Sequence, residues 1–292
     1  MTDHANIEVS VVIACRNAEP HLAQQLQALA AQRCAAEWEL VISDNGSTDR
    51  TLTIAERFRP LFRHLTIIDS AARPGPAGAR NAAVQIAQGD RIAFCDADDE
   101  VAPGWLETMS EALRDHGLVA GRLEHDLLNK NWRTLQRNPQ PGLLNTDPPF
   151  LPYMAGAALG VQRSVHEQIG GFDESFREAG EDRDYCYRAQ LAGVELVFVP
   201  QAVVHYRHRR TALAMYRQAR GYALGNVRLY RDYRHLGLGR PSAVRALFSW
   251  CSLVMRLLPA LPTYQRRAVW LARLGWRVGR LSGSIRYRVW AP

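Results

Sequence analysis

Asp96 and Asp98 end an apolar run, Ile92 to Cys95, and Asp99 and Glu100 follow them. In extended chain, residues two apart point to the same side, so the two carboxylates would stand close together and repel without a counter-charge. A divalent ion with hard oxygen preferences, Mg2+ or Mn2+, would supply that charge, binding one or two carboxylates and completing its shell with phosphate oxygens and water. An acidic turn before a helix N-terminus fits the same residues, because Pro103 follows and carboxylates complement a helix dipole there. Two further acidic groupings invite chemistry. Asp44-Asn45-Gly46-Ser47-Thr48-Asp49 is a turn with Gly46 free to take positive φ and with Ser47 or Thr48 able to cap the next helix. Glu181-Asp182 follows Gly180 at the start of a helical pattern, where acids are also welcome for the dipole alone.

These residues sit in a regular frame. Val9 to Ala14, Trp38 to Ser43, Leu65 to Ile68 and residues 91–95 read as buried strands, separated by helical patterns from Pro20 to about Gln32, from Ser47 onward and from Gly78 to Ala87. Strand alternating with helix predicts a largely parallel sheet, whose ligands lie at the carboxyl ends of the strands. Asp44, Arg80 and the Asp96/Asp98 pair should therefore share one crevice. Cys15-Arg16-Asn17 follows the first strand in place of a Gly-x-Gly-x-x-Gly fingerprint, which argues against a nicotinamide or flavin dinucleotide site. Further on, strands are expected at Leu118 to Leu123, Gly156 to Val161, Glu195 to Val199 and Val203 to Tyr206. Helices are expected at Ser164 to Ile169 and from Gly180 to about Leu191, with an irregular Asn- and Pro-rich stretch up to about residue 152.

The chain has 292 residues, 47% of them hydrophobic, enough to bury an α/β core with an appendage. Its five cysteines are scattered without metal-ligand spacing, and Met1 to Asn6 lack the basic then apolar pattern of an export signal. Reduced thiols and a cytoplasmic setting are expected. The net charge of +7 is unevenly spread: residues 1–206 hold 18 basic and 28 acidic residues, whereas 207–292 hold 18 arginines against Asp232 alone. Such a tail should meet an anionic surface, be it lipid, nucleic acid or the acidic body.

The tail reads as three helices. Residues 212–235 put Arg217, Arg220, Arg228 and Arg231 on one face, and Ala243 to Leu258 carries a wide apolar face between Arg245 and Arg256. A last helix after Pro262 has Arg266, Arg273, Arg277 and Arg280 opposite Leu271, Leu274, Val278 and Leu281. None of the three is apolar over the roughly 20 residues a membrane span needs. Basic amphipathic helices with Trp250, Trp270, Trp276 and Trp290 suit a membrane surface. Packing on the body, or against a second copy in a homo-oligomer, would bury the same faces, and no nucleic-acid-binding pattern is present.

Five short motifs now stand in order: Val11 to Asn17, Asp44 to Asp49, Gly78-Ala79-Arg80-Asn81, Asp96 to Asp99, and Gly170-Gly171-Phe172-Asp173 followed by Glu181-Asp182. As an ordered set they resemble the inverting family 2 glycosyltransferases. That resemblance implies a GT-A fold, an α/β, Rossmann-like, mixed but mostly parallel sheet with flanking helices, over residues 1–210, and here a basic amphipathic helical extension over 211–292. It implies transfer of a sugar from a nucleoside-diphosphate-sugar, a UDP-sugar first, to a hydroxyl of a lipid-linked or saccharide acceptor in polysaccharide or glycolipid assembly, at the inner face of the cell membrane. Carried over, it makes Asp44 the base-reading residue, Arg80 the arginine reaching nucleotide or diphosphate, Asp96 with Ala97 the ribose side, and Asp98 the ligand of Mn2+ or Mg2+, with His205 a second metal ligand. Ala14 and Arg16 would flank the nucleotide, although Ala-Cys-Arg-Asn departs from the family's frequent Pro-Thr-Tyr-Asn. Asp182 matches the catalytic base, and Glu181 would position the acceptor. A polyprenyl-phosphate sugar synthase, a nucleotidyltransferase and a catalytically silent membrane-binding or scaffold module are the competing readings.

Overall fold

A computed structural model describes residues 6–130 and 150–292. The first half alternates as its periodicity demands: β1 (Val9–Cys15), α1 (Leu22–Ala30), β2 (Trp38–Asp44), α2 (Thr51–Phe58), β3 (Leu65–Asp69), α3 (Pro76–Ile86) and β4 (Arg91–Asp96). After β4 come β5 (Glu100–Val101), α4 (Trp105–Asp115), β6 (Leu118–Glu124), β7 (Leu159–Gln162), α5 (Arg163–Gln168), α6 (Glu181–Leu191) and β8 (Leu196–His205). One eight-stranded sheet results, in the order β3-β2-β1-β4-β7-β6-β8-β5. The pairs β1/β2, β2/β3, β1/β4 and β6/β8 are parallel, whereas β7 and β5 run antiparallel to their neighbours. Val9, Val11, Val12 and Ile13 of β1 are fully buried, as expected of a central parallel strand covered on both faces.

Register decides what the strands deliver. Ala14 lies opposite Asp96, and Cys15 opposite Asp44, so three loops open side by side at the carboxyl edge of the sheet. The turn after β2 differs from its sequence reading: α2 begins at Thr51, not at Ser47 or Thr48, and Asp49 Oδ1 accepts from the Thr51 amide at 3.0 Å. Ser47 and Thr48 instead tie the turn to the first loop. The Asn17 amide donates to Ser47 Oγ (2.9 Å), and Asn17 Oδ1 accepts from the Thr48 amide (2.8 Å). Other boundaries shift as well. Pro20 precedes α1 by a turn, residues 156–158 form a 3₁₀ turn ahead of β7, and β8 runs unbroken through the gap expected between Val199 and Val203. Most of the expected irregular stretch lies outside the described residues.

The carboxyl-terminal part forms α7 (Ala212–Tyr233), α8 (Ala243–Met255), a short α9 (Leu257–Ala260) and α10 (Tyr264–Arg286). Thr211, Ser242 and Thr263 cap α7, α8 and α10 by accepting from the backbone amide three residues on. α7 is seated on the body: Tyr233 donates to Asp184 Oδ1 (2.7 Å), and Arg228 pairs with Asp173 (2.7 Å) while lying 3.6 Å over the Phe176 ring. α10 lies along α7 at backbone contact. A Cβ on Gly275 or Gly279 would come within 2.4 Å of the carbonyl of Tyr216 or Arg220, so only glycine admits this approach. Among the described residues no helix is long and apolar enough to cross a membrane.

Candidate active site

The carboxylate cluster is built by the end of β4 and the tight turn behind it. Oxygens of Asp96, Asp98 and Asp99 lie within 4.8 Å of one another. Asp99 is buried; its Oδ1 accepts from the Arg207 amide at 2.7 Å, while Oδ2 has no hydrogen-bond partner among the described residues. Burial, then repulsion from Asp96 and Asp98, push Asp99 well above the ordinary carboxylate range, and burial also raises Asp98 despite its ion pair with Arg209. Three hard oxygen donors, one partnerless, in a site too dry for so much negative charge fit a small divalent cation.

Arg80 joins this cluster to the second acidic group. Its Nη2 donates to Asp96 Oδ1 (2.9 Å) and its Nη1 to Glu181 Oε1 (3.0 Å), with 6% of the side chain exposed. Burial opposes its charge, but Asp96, Glu181 and Asp182 more than offset that and raise its pKa. Glu181 is pushed up to about 7 by burial and by Asp182, against the pull of Arg80. The guanidinium lies flat against Gly156, where a Cβ would approach its Cζ to 2.7 Å. Asp182 sits at the start of α6, where Oδ1 accepts from the Arg183 amide (2.7 Å) and Oδ2 is 3.4 Å from the Gly156 amide. One cleft of about 2180 Å3 is lined by Ala14, Arg16, Arg80, Asp96, Ala97, Asp98, Glu181 and Asp182. Pockets for drug-sized ligands hold roughly 300 to 1,000 Å3, so this one has room for two reactants.

Two residues singled out from the sequence are placed differently. Asp44 is buried behind the cleft rather than among its lining residues; Oδ2 accepts from the Ser47 amide (3.1 Å) and Oδ1 has no partner among the described residues. His205 is also absent from the lining. Its Nδ1 is held 2.7 Å from Glu124, its register partner on the neighbouring strand β6, whose side chain lies on the same face of the sheet. The histidines that do line the cleft are His125 and His208, stacked with centroids 5.1 Å apart, and His125 Nε2 has no partner among the described residues.

The family model "Glycosyl transferase family 2" matches residues 10–170, more than half of the chain, and "Glycosyl transferase family group 2" matches residues 144–282. This chain belongs to glycosyl transferase family 2. The pre-mycofactocin glycosyltransferase of Mycobacterium tuberculosis is 29% identical over 213 residues, 69% of this chain but 43% of that protein, so the chain spans less than half the length of this relative. The beta-monoglucosyldiacylglycerol synthase of Nostoc is 26% identical over 273 residues, 87% of this chain and 56% of that one. In fold, a mannosyltransferase from Pyrobaculum calidifontis, solved with GDP-Man and Mn2+, superposes with a TM-score of 0.61 at 19% identity, covering 92% of this chain and 86% of that one. The GT-A architecture expected from the motifs is thus present, with the helical extension α7 to α10 behind it.

Several residues of this site carried no sequence signal. Gly156 earns its place only through Arg80, 76 residues earlier. Arg209, from the loop after β8, reaches Asp98, and α7 lines the cleft with Gln218, Tyr222 and Asn226. Asp99 was visible beside Asp98, but only the turn shows that its oxygens face the same point.

Proposed function

We propose that this chain is an inverting glycosyltransferase that moves a sugar from a nucleoside-diphosphate-sugar to a hydroxyl of a lipid-linked acceptor. The observation that carries the reading is the Arg80 bridge, which holds the Asp96 cluster and the Glu181-Asp182 pair on one cleft. Asp182 accepts the proton of the acceptor hydroxyl; the freed oxygen pair attacks the anomeric carbon, the bond to the diphosphate breaks, and the electrons leave on the diphosphate oxygen. A single displacement inverts the anomeric centre. Asp98, with Asp96 and Asp99, would hold Mg2+ or Mn2+, which supplies positive charge to the leaving diphosphate; the Mn2+ complex of the mannosyltransferase with this fold supports the choice. Arg80 keeps Glu181 and Asp96 in place, and Glu181 positions the acceptor. Asp44, next to the strand end that carries Ala14 and with its buried Oδ1 without a partner among the described residues, is assigned the recognition of a uracil imide or another base donor.

The lipid linkage rests on α8. Val244, Leu247, Phe248, Val254 and Met255 of α8, with Leu258 just beyond it, are 64 to 78% exposed, while Arg245 and Arg256 are exposed on the other side of the helix. A basic amphipathic helix with an exposed apolar face suits immersion in an anionic membrane surface. The Nostoc relative named for a glucosyldiacylglycerol product agrees with a lipid acceptor.

The test is a thermal-shift and turnover screen of UDP-, GDP- and dTDP-sugars with and without Mn2+. One donor should stabilise the chain in a metal-dependent way. Asp182→Asn should keep that shift and lose about 10² to 10⁴ in transfer rate. Transfer at the wild-type rate by Asp182→Asn would remove the base from the mechanism and favour a phosphate nucleophile, as in a polyprenyl-phosphate sugar synthase.

A further inference from the structure

The cleft does not end at the carboxylates. It continues between α7, the segment leading into α8, and α10, where it is lined by Arg217, Arg220, Arg240, Arg245, Arg277 and Arg280. Among the described residues none of these six guanidinium groups pairs with an acidic side chain, whereas Arg228, Arg231 and Arg286 of the same helices do. Glu178, which also lines the cleft, is taken by Arg286 at 3.0 Å. Arg277 and Arg280 are half-buried, one turn apart on α10, and among the described residues the Arg280 side chain makes one hydrogen bond, from Nε to the main-chain oxygen of Pro292 at 3.3 Å. Burial pushes Arg280 down to about 10, with the like charge of Arg277 adding to the effect, and no acidic side chain offsets it at either residue. Partly desolvated cations held beside one another cost free energy in the empty chamber, and a multiply charged anion would return it. Arginine forks match phosphate oxygens in geometry as well as in charge.

We propose that this chamber binds a phosphate or diphosphate group on the acceptor. The inference rests on the transferase reading and sharpens it: the acceptor is an anionic, phosphate-bearing molecule, anchored by α7 and α10 while its hydroxyl reaches Asp182. On α8 the chamber meets the polar side, Arg245 and Ser249, while the exposed apolar residues Val244, Leu247 and Phe248 lie on the other side of that helix.

Inorganic pyrophosphate in EDTA, titrated calorimetrically into the full chain, is the probe. Wild type should bind it, Arg277→Gln/Arg280→Gln should bind at least tenfold more weakly, and Arg277→Lys/Arg280→Lys should recover part of the loss. Equal binding by wild type and the glutamine pair, or no binding by wild type, overturns the proposal. Should the glutamine pair fail to fold, Arg217→Gln/Arg240→Gln, on exposed positions of the same chamber outside α8, takes its place with the same expectation. Flotation with phosphatidylglycerol vesicles separates the acceptor from a membrane headgroup. Unchanged flotation of the glutamine pair supports an acceptor site, and flotation lost together with pyrophosphate binding overturns it in favour of headgroups. Donor hydrolysis by the wild-type chain with Mn2+ reports on the transferase reading separately: turnover without pyrophosphate binding sinks only this inference, and binding without turnover only that one.

Discussion

The arginines of the two halves of the chain behave differently. In the body, the buried ones are neutralised: Arg80 by Asp96 and Glu181, Arg91 by Glu8, and neither is left facing solvent. In the helical extension, Arg277 and Arg280 are half-buried with no acidic side chain to meet them, because over residues 211–292 15 arginines share one aspartate. A buried ion pair whose partner is removed costs several kcal/mol, so pairing in the body is a requirement of folding. Half-buried arginines of the body that lack a carboxylate, such as Arg163, spend their donors on backbone carbonyls, whereas Arg277 has no side-chain hydrogen bond among the described residues and is proposed to meet a ligand. The contrast separates a region whose charges hold a site together from one whose charges wait for a ligand.

The harshest way to break that contrast is Arg80→Leu, which leaves Asp96 and Glu181 facing each other without a cation. Stability should drop by about 3 to 5 kcal/mol in chemical denaturation, and a drop under about 1 kcal/mol would show that the bridge does not organise the site. Asp98→Ala comes next. At a donor concentration of 100 times its dissociation constant, the wild type should gain about 2.7 kcal/mol with Mn2+, and the variant should gain none of it.

A milder probe uses pH. Glu181 ionises near 7 in the folded chain against an ordinary value of 4.5, so the folded state holds its proton more tightly through that window. The sign follows: the contribution of Glu181 to stability is fully present below about 4.5 and is lost as pH rises through about 7. Glu181→Gln should flatten that slope in pH-dependent unfolding, and an unchanged slope would assign it to other groups. The smallest effect belongs to the other region. Phe248→Ser on α8 should shift stability by no more than about 0.5 kcal/mol, since the ring is 70% exposed, yet weaken flotation with anionic vesicles. Unaltered flotation would detach α8 from the membrane.

The four tryptophans assigned to an interface illustrate how far a helix pattern can be read. Trp290 is exposed, but Trp270 donates from Nε1 to the Leu253 carbonyl (2.8 Å), and Trp276 lines the arginine chamber. Amphipathicity alone could not tell a lipid-facing side from one facing α7, because both bury apolar surface. Of the three options weighed for the extension, α7 and α10 take intramolecular packing and α8 alone keeps its apolar face outward.

From the chain alone, the alternation of strands and helices, the five ordered motifs and the charge asymmetry were all legible. Each is written in neighbouring residues and in local period, and register then had only one way to bring Ala14 beside Asp96 and Asp44 beside Cys15. What only the tertiary structure decided are contacts between residues far apart in sequence: Arg80 reaching Glu181 from 101 positions away, Gly156 making room for it, and His125 with His208 rather than His205 at the cleft. The reason is physical. Local pattern fixes which face of an element is apolar, but the path of the loops between elements fixes which charges end up with a partner and which are left to find one elsewhere.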